Sequence, residues 1–175
     1  LQTDEEAYGL ILINRLMQYG EYDVIRRLVE NALPKMALVD PDVAGARYLD
    51  GSRTAYLTAI YKLGQTERSK LLAKKILAFN AGVPHMGIGG KGAADVLCYQ
   101  VLGQSEKAIQ EFLAVTRAGW LGYYGDGYKD HPLMDELRDE PRILGAIKKI
   151  EDELTRQKEA VYEKLNRHNL ISSSI

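Results

Sequence analysis

The sequence predicts an all-α protein made of stacked helical hairpins, and three observations point there. Leu, Ala, Lys, Glu, Arg and Gln are abundant while strand-forming residues are thinly supplied, a balance that favours helix. Every strong apolar pattern has the 3.6-residue helical period, and none alternates cleanly over a strand length. Gly20, Gly64 and Gly103 sit in similar surroundings, each closing one apolar-periodic stretch and opening the next. A glycine there supplies the left-handed conformation that ends a helix and lets the chain reverse.

Aligned on those glycines, the rest falls into register. Seven residues before them stand Ile13, Leu57 and Val96; four before stand Leu16, Ile60 and Tyr99. Five after stand Ile25, Ser69 and Ala108, where a small residue permits close helix approach. Nine after stand Val29, Ala73 and Phe112, and twelve after stand Ala32, Ile76 and Val115. These offsets draw one apolar stripe on each helix of a hairpin, and stacking buries the surface that a single hairpin leaves open.

The first hairpin is expected over about 4–18 and 21–34, opened by the capping box Thr3-Asp4-Glu5-Glu6. The second is expected over about 42–63 and 66–80, and the third over about 91–102 and 105–118. Loops around 34–44 and 82–92 separate them. A loop-like stretch over 119–128 follows, then a short helix after Pro132 ending near Arg138. Pro141, behind Asp139 and Glu140, stands where a first helical turn places it, and a long helix is expected over 141–167. Its apolar residues Ile143, Ile147, Ile150, Leu154, Val161 and Leu165 recur at spacings of three, four and seven, and the tail 172–175 reads as frayed. All of 1–175 forms one repeat domain, with a cap over 132–167.

Composition narrows the function. With 23 basic and 24 acidic residues in mixed order, the net charge of −1 leaves no basic face for nucleic acid. No apolar run reaches the ~18–20 residues that span a bilayer. The lone cysteine, Cys98, forms no internal disulfide and does not fix the compartment. The chain opens Leu1-Gln2-Thr3, which suggests a processed chain or, in preference, a domain cut from something longer.

The glycine-centred hairpins resemble the tetratricopeptide repeat family over most of 4–118, although glycine separations of 44 and 39 residues exceed the ~34 usual for that repeat. Further on, Ala118-Gly119-Trp120, His131-Pro132-Leu133 and Leu137-Arg138-Asp139-Glu140-Pro141-Arg142 look like the closing segment of one subgroup. That subgroup includes the tetratricopeptide sensory regions of bacterial winged-helix transcription regulators and nucleotide cyclases. Ile143 stands where its members carry an aromatic. The resemblance implies a right-handed α-α superhelix and a regulatory module joined to an output domain. No catalytic or DNA-contacting residue carries over.

Candidate chemistry is sparse. Gly87-Ile88-Gly89-Gly90-Lys91-Gly92 matches the glycine pattern of a dinucleotide loop, but a helical pattern rather than a strand precedes it, so an inter-repeat loop is the better reading. His85, His131 and His168 share no metal-ligand spacing with each other or with Cys98, so no metal and no cofactor are expected. His131 is read as a cap of the short helix, and Cys98 as a buried thiol. Asp126 and Asp130, among Gly125 and Gly127, suit turns better than calcium, because Tyr128 and Pro132 break the ligand alternation. The rings of Trp120, Tyr123, Tyr124 and Tyr128 are read as packing at the joint with the cap, Trp120 in the core.

The function expected is therefore a protein-interaction or sensory-regulatory scaffold, not an enzyme, belonging to a larger bacterial signalling or transcription-regulatory protein. The first helix of each hairpin lines the concave face. That face is expected to present Asn14, Met17, Gln18, Thr54, Thr58, Tyr61, Lys62, Leu97 and Gln100 to a peptide or a partner helix. The alternatives are a small-molecule or nucleotide binder using 87–92, and a homodimer formed through the terminal helix. No nucleic acid and no membrane insertion is expected for this segment. A one-pass membrane parent would place it in the periplasm, any other parent in the cytoplasm.

Overall fold

Each of the three turn glycines ends a helix in the left-handed conformation, and a fourth does the same. The φ angles are +71° at Gly20, +75° at Gly64, +69° at Gly103 and +90° at Gly119. At all four the glycine N–H donates to the carbonyl three residues back and the next N–H to the carbonyl five back, at 2.9–3.1 Å. This double bond pattern satisfies carbonyls that the helix end would otherwise orphan.

The computed structural model describes residues 12–13, 15–32, 50–82, 85–86, 89–90, 93–122 and 128–168. Helical turns at 12–13 and 15–18 lead through Gly20 into α1 (Tyr22–Ala32). The second hairpin is α2 (Asp50–Lys62) and α3 (Thr66–Asn80), and the third is α4 (Ala94–Val101) and α5 (Ser105–Arg117). Between α3 and α4, β1 (His85–Met86) pairs antiparallel with β2 (Gly89–Gly90). The long helix α6 spans Pro141–Arg167, the range the sequence predicts. The protein is all-α; the two-residue ladder is the strand pairing among the described residues. The capping box, the loop over 34–44 and the tail lie outside them.

Each helix packs on the next in sequence from α1 through α6, and α2 also touches α4. The aligned positions form the core: Ile13, Leu57, Val96, Val29, Ala73 and Phe112 are fully buried, as are Ile25, Ser69 and Ala108 at the helix crossings. A buried Val, Leu, Ile or Phe side chain contributes about 1.5–3 kcal/mol, so these stripes hold the stack together. A polar knot ties α1, α2 and α3. Buried Tyr56 donates its hydroxyl to Glu30 (3.1 Å), while Arg68 donates to both Glu30 and Tyr56 (2.5 Å each). Burial, offset by nearby Arg68, pushes the Tyr56 hydroxyl up to about 12.

The short helix expected after Pro132 is a single 3-10 turn, Asp135–Leu137, and a second such turn covers Tyr128–Asp130 in the stretch read as loop. The bonds here step back three residues, Met134 to His131, Leu137 to Met134 and Glu140 to Leu137, so no α-helical ladder starts. Glu140 then caps α6 by accepting the Arg142 N–H at 3.3 Å, with Pro141 in the first turn. Ile143, Ala146 and Ile150 are buried on the side facing α5. Beyond Leu154, every residue to the end of α6 except half-buried Leu165 is exposed, Val161 at 57% and Tyr162 at 45%.

Candidate interaction surface

The expected concave face is largely filled by the chain itself. Thr54, Thr58, Leu97 and Gln100, expected to face a partner, are 4%, 0%, 0% and 7% exposed and belong to the interior. Met17 and Tyr61 are half-buried, Gln18 and Lys62 are exposed, and Asn14 lies outside the described residues. At Thr58 the segment after α5 folds back onto the first helix of the second hairpin.

His131 makes that contact. Thr58 Oγ1 donates to the Thr54 carbonyl at 2.7 Å, which leaves its lone pairs to accept. His131 Nε2 stands 3.5 Å from Thr58 Oγ1, while His131 Nδ1 accepts the Leu133 N–H at 3.2 Å. One tautomer satisfies both: neutral imidazole with its proton on Nε2. Burial, reinforced by the charges of Lys62 and Arg138, pushes His131 down to about 4, so the neutral ring persists through ordinary pH. His131 does not cap the short helix, whose N-cap Met134 carries no side-chain bond; it accepts the Leu133 N–H just ahead of it and reaches the stack.

The aromatic residues lock the same segment. Tyr128 stacks on His131 (centroids 5.9 Å, 24°), Trp120 meets Tyr128 edge-on (5.1 Å, 87°), and Phe112 meets Trp120 edge-on (6.0 Å, 85°). Trp120 is 3% exposed, so its core assignment holds, while Tyr123 and Tyr124 lie outside the described residues. Leu133, Met134 and Leu137 join the same core.

Sequence reasoning missed three interior polar groups. Asn80, which closes α3, donates to Asp95 in the first turn of α4 at 2.7 Å, and both are buried. The Arg53 guanidinium lies 4.9 Å over the Phe79 ring, also buried. The available signal was polarity at interior register: Asp95 directly precedes the apolar run Val96-Leu97-Cys98 on a short helix. A buried Asn–Asp bond across the connection fixes where α4 begins relative to α3.

Of the glycine-rich segment, Gly89 and Gly90 are described. Gly89 and Gly90 pair with Met86 and His85 between two helices, a different setting from the strand–loop–helix of a dinucleotide site. Cys98 is fully buried. Asp130 lies exposed on a 3-10 turn, and Asp126 falls outside the described residues. Among the described residues no three His, Cys, Asp or Glu side chains converge as metal ligands, and no helix is long and apolar enough to cross a membrane. Compared with protein-family models, curated proteins and solved structures, the chain matches none.

Proposed function

We propose that this chain is a non-catalytic protein-interaction module that holds a peptide or a partner helix. The observation that carries the reading is the open remainder of the inner face. Met17 and Gln18, three and two residues before Gly20, and Tyr61 and Lys62, at the same offsets before Gly64, stay half-buried or exposed on successive hairpins. Two adjacent repeats thus offer the same stretch of surface, one apolar or aromatic group beside one polar group each, which is how a helical stack reads a linear partner. A role as the sensory-regulatory part of a larger bacterial signalling or transcription-regulatory protein rests on the resemblance over about 118–160 alone.

Peptide-array binding tests this reading, with a Met17→Glu, Tyr61→Glu variant as the control. Binders that the variant loses support it; an array with no binder, or only binders indifferent to the variant, rejects it. A second reading, a homodimer through α6, is favoured by the exposure of Val161 and Tyr162. Sedimentation of the chain against a Val161→Glu, Leu165→Glu variant decides it. A dimer lost in the variant supports pairing, and monomers throughout the high-micromolar range reject it.

A further inference from the structure

A cleft of about 220 Å³ opens between α5 and α6, at the end of the stack away from the first hairpin. Its floor is apolar: Leu113 and Leu121 from one side, Ala146 and Ile150 from the other. Its rim carries Arg117 and Lys149, both exposed, and among the described residues neither side chain makes a hydrogen bond or ion pair. The acidic rim residue, Glu153, is already engaged, taking Arg156 at 2.8 and 2.5 Å and Gln157 at 2.8 Å. The rim is therefore basic toward anything that enters.

Size and charge together choose the occupant. Small-molecule sites run to about 300–1,000 Å³, so this cleft suits one inserted side chain better than a cofactor. We propose that it receives an apolar side chain from an acidic amphipathic helix of a partner protein, whose carboxylates one turn to either side meet Arg117 and Lys149. This is the helix-in-groove mode, with one anchor and two charges that fix register. The projecting part of α6 in a second copy fits less well: past Leu154 it carries Arg156, Lys158, Lys164 and Arg167 against Glu159 and Glu163, a basic excess facing a basic rim. The proposal rests on the reading of the chain as an interaction module, and it supplies the chemistry of one partner.

The test titrates the ¹⁵N-labelled full chain with two synthetic amphipathic peptides of about 16 residues, long enough to hold a helix. Both carry one central Leu, flanked one turn away by Glu in the first and by Lys in the second. The Glu peptide is expected to shift the amides of Leu113, Arg117, Gly119, Leu121 and Lys149, and to bind about tenfold tighter than the Lys peptide. An Arg117→Glu, Lys149→Glu variant, altered only at exposed positions, is expected to reverse the preference. Equal affinities, an unreversed preference or self-association through this cleft would each overturn the proposal. Shifts confined to Met17, Tyr61 and Lys62 also overturn it while leaving the module reading intact. No shift with either peptide removes the cleft as a site and leaves the peptide array to judge the wider reading.

Discussion

At Gly20, Gly64, Gly103 and Gly119 the chain reverses on bonds that span five residues or fewer, whereas His131 meets Thr58 across 73 residues of sequence. The two regions are ordered by different physics. A hairpin needs a glycine in the left-handed region and two facing stripes, all within one stretch of sequence, so it forms from local information. The segment over 128–138 has little regular structure of its own, two 3-10 turns, and gains its place only when the stack offers a surface for Leu133, Met134, Leu137 and the His131 ring. One region builds the scaffold; the other closes its inner face.

That contrast predicts where substitutions hurt most. Met134→Ala removes a fully buried side chain from the closing segment, and its expected cost is about 2–5 kcal/mol, because the joint collapses only in part around the void. Urea unfolding followed by circular dichroism reads this as a lower midpoint. An unchanged midpoint would mean that the segment adds nothing to the stack. Gly103→Ala sharpens the local side of the contrast. No neighbouring atom lies within 4 Å of an added Cβ there, so the cost comes from the φ of +69° alone, about 1–2 kcal/mol. Gly103→Asn, which tolerates that conformation better, is expected to lose less; equal losses would implicate packing instead. The smallest effect belongs to the free end of α6. Val161→Glu changes a side chain 57% exposed, and its expected effect on monomer stability stays within about 0.5 kcal/mol.

The same contrast explains what was legible in the sequence. The glycine offsets read correctly because burial at Ile13, Leu57 and Val96, or at Val29, Ala73 and Phe112, follows from the helical period. Pro141 and Glu140 announced α6 through capping chemistry that is likewise local. The concave face did not read correctly. Thr54, Thr58, Leu97 and Gln100 occupy inner-facing register positions, yet all four are buried, and Thr58 meets His131 from a distant segment with no period of its own. Asp95 and Asn80 were missed for a related reason: nothing in either helix signals that the two will meet across the connection. Met17, Gln18, Tyr61 and Lys62 remain half-buried or exposed on the first two hairpins, whereas Gln100, at the offset of Met17 and Tyr61, is buried on the third.

The closure of the inner face is most directly tested at His131, by following its ring nitrogens and carbons by NMR as pH is lowered, alongside thermal stability. In the folded chain this imidazole is held neutral, its midpoint moved from the ordinary ~6.5 down to about 4. Between those values the unfolded chain binds a proton that the native chain refuses, so stability is flat above about pH 6.5 and falls as pH drops toward 4. Glu106 and Glu153, held below the ordinary carboxyl range by arginine partners, and Glu30, where burial is outweighed by Arg68 and Tyr56, lose stabilisation only at lower pH, so the upper part of the window isolates His131. The expected result is an Nε2–H tautomer titrating near pH 4, with a stability slope that disappears in His131→Gln. A ring titrating near pH 6.5, or a slope unchanged in that variant, would contradict the claim that this segment seals the stack.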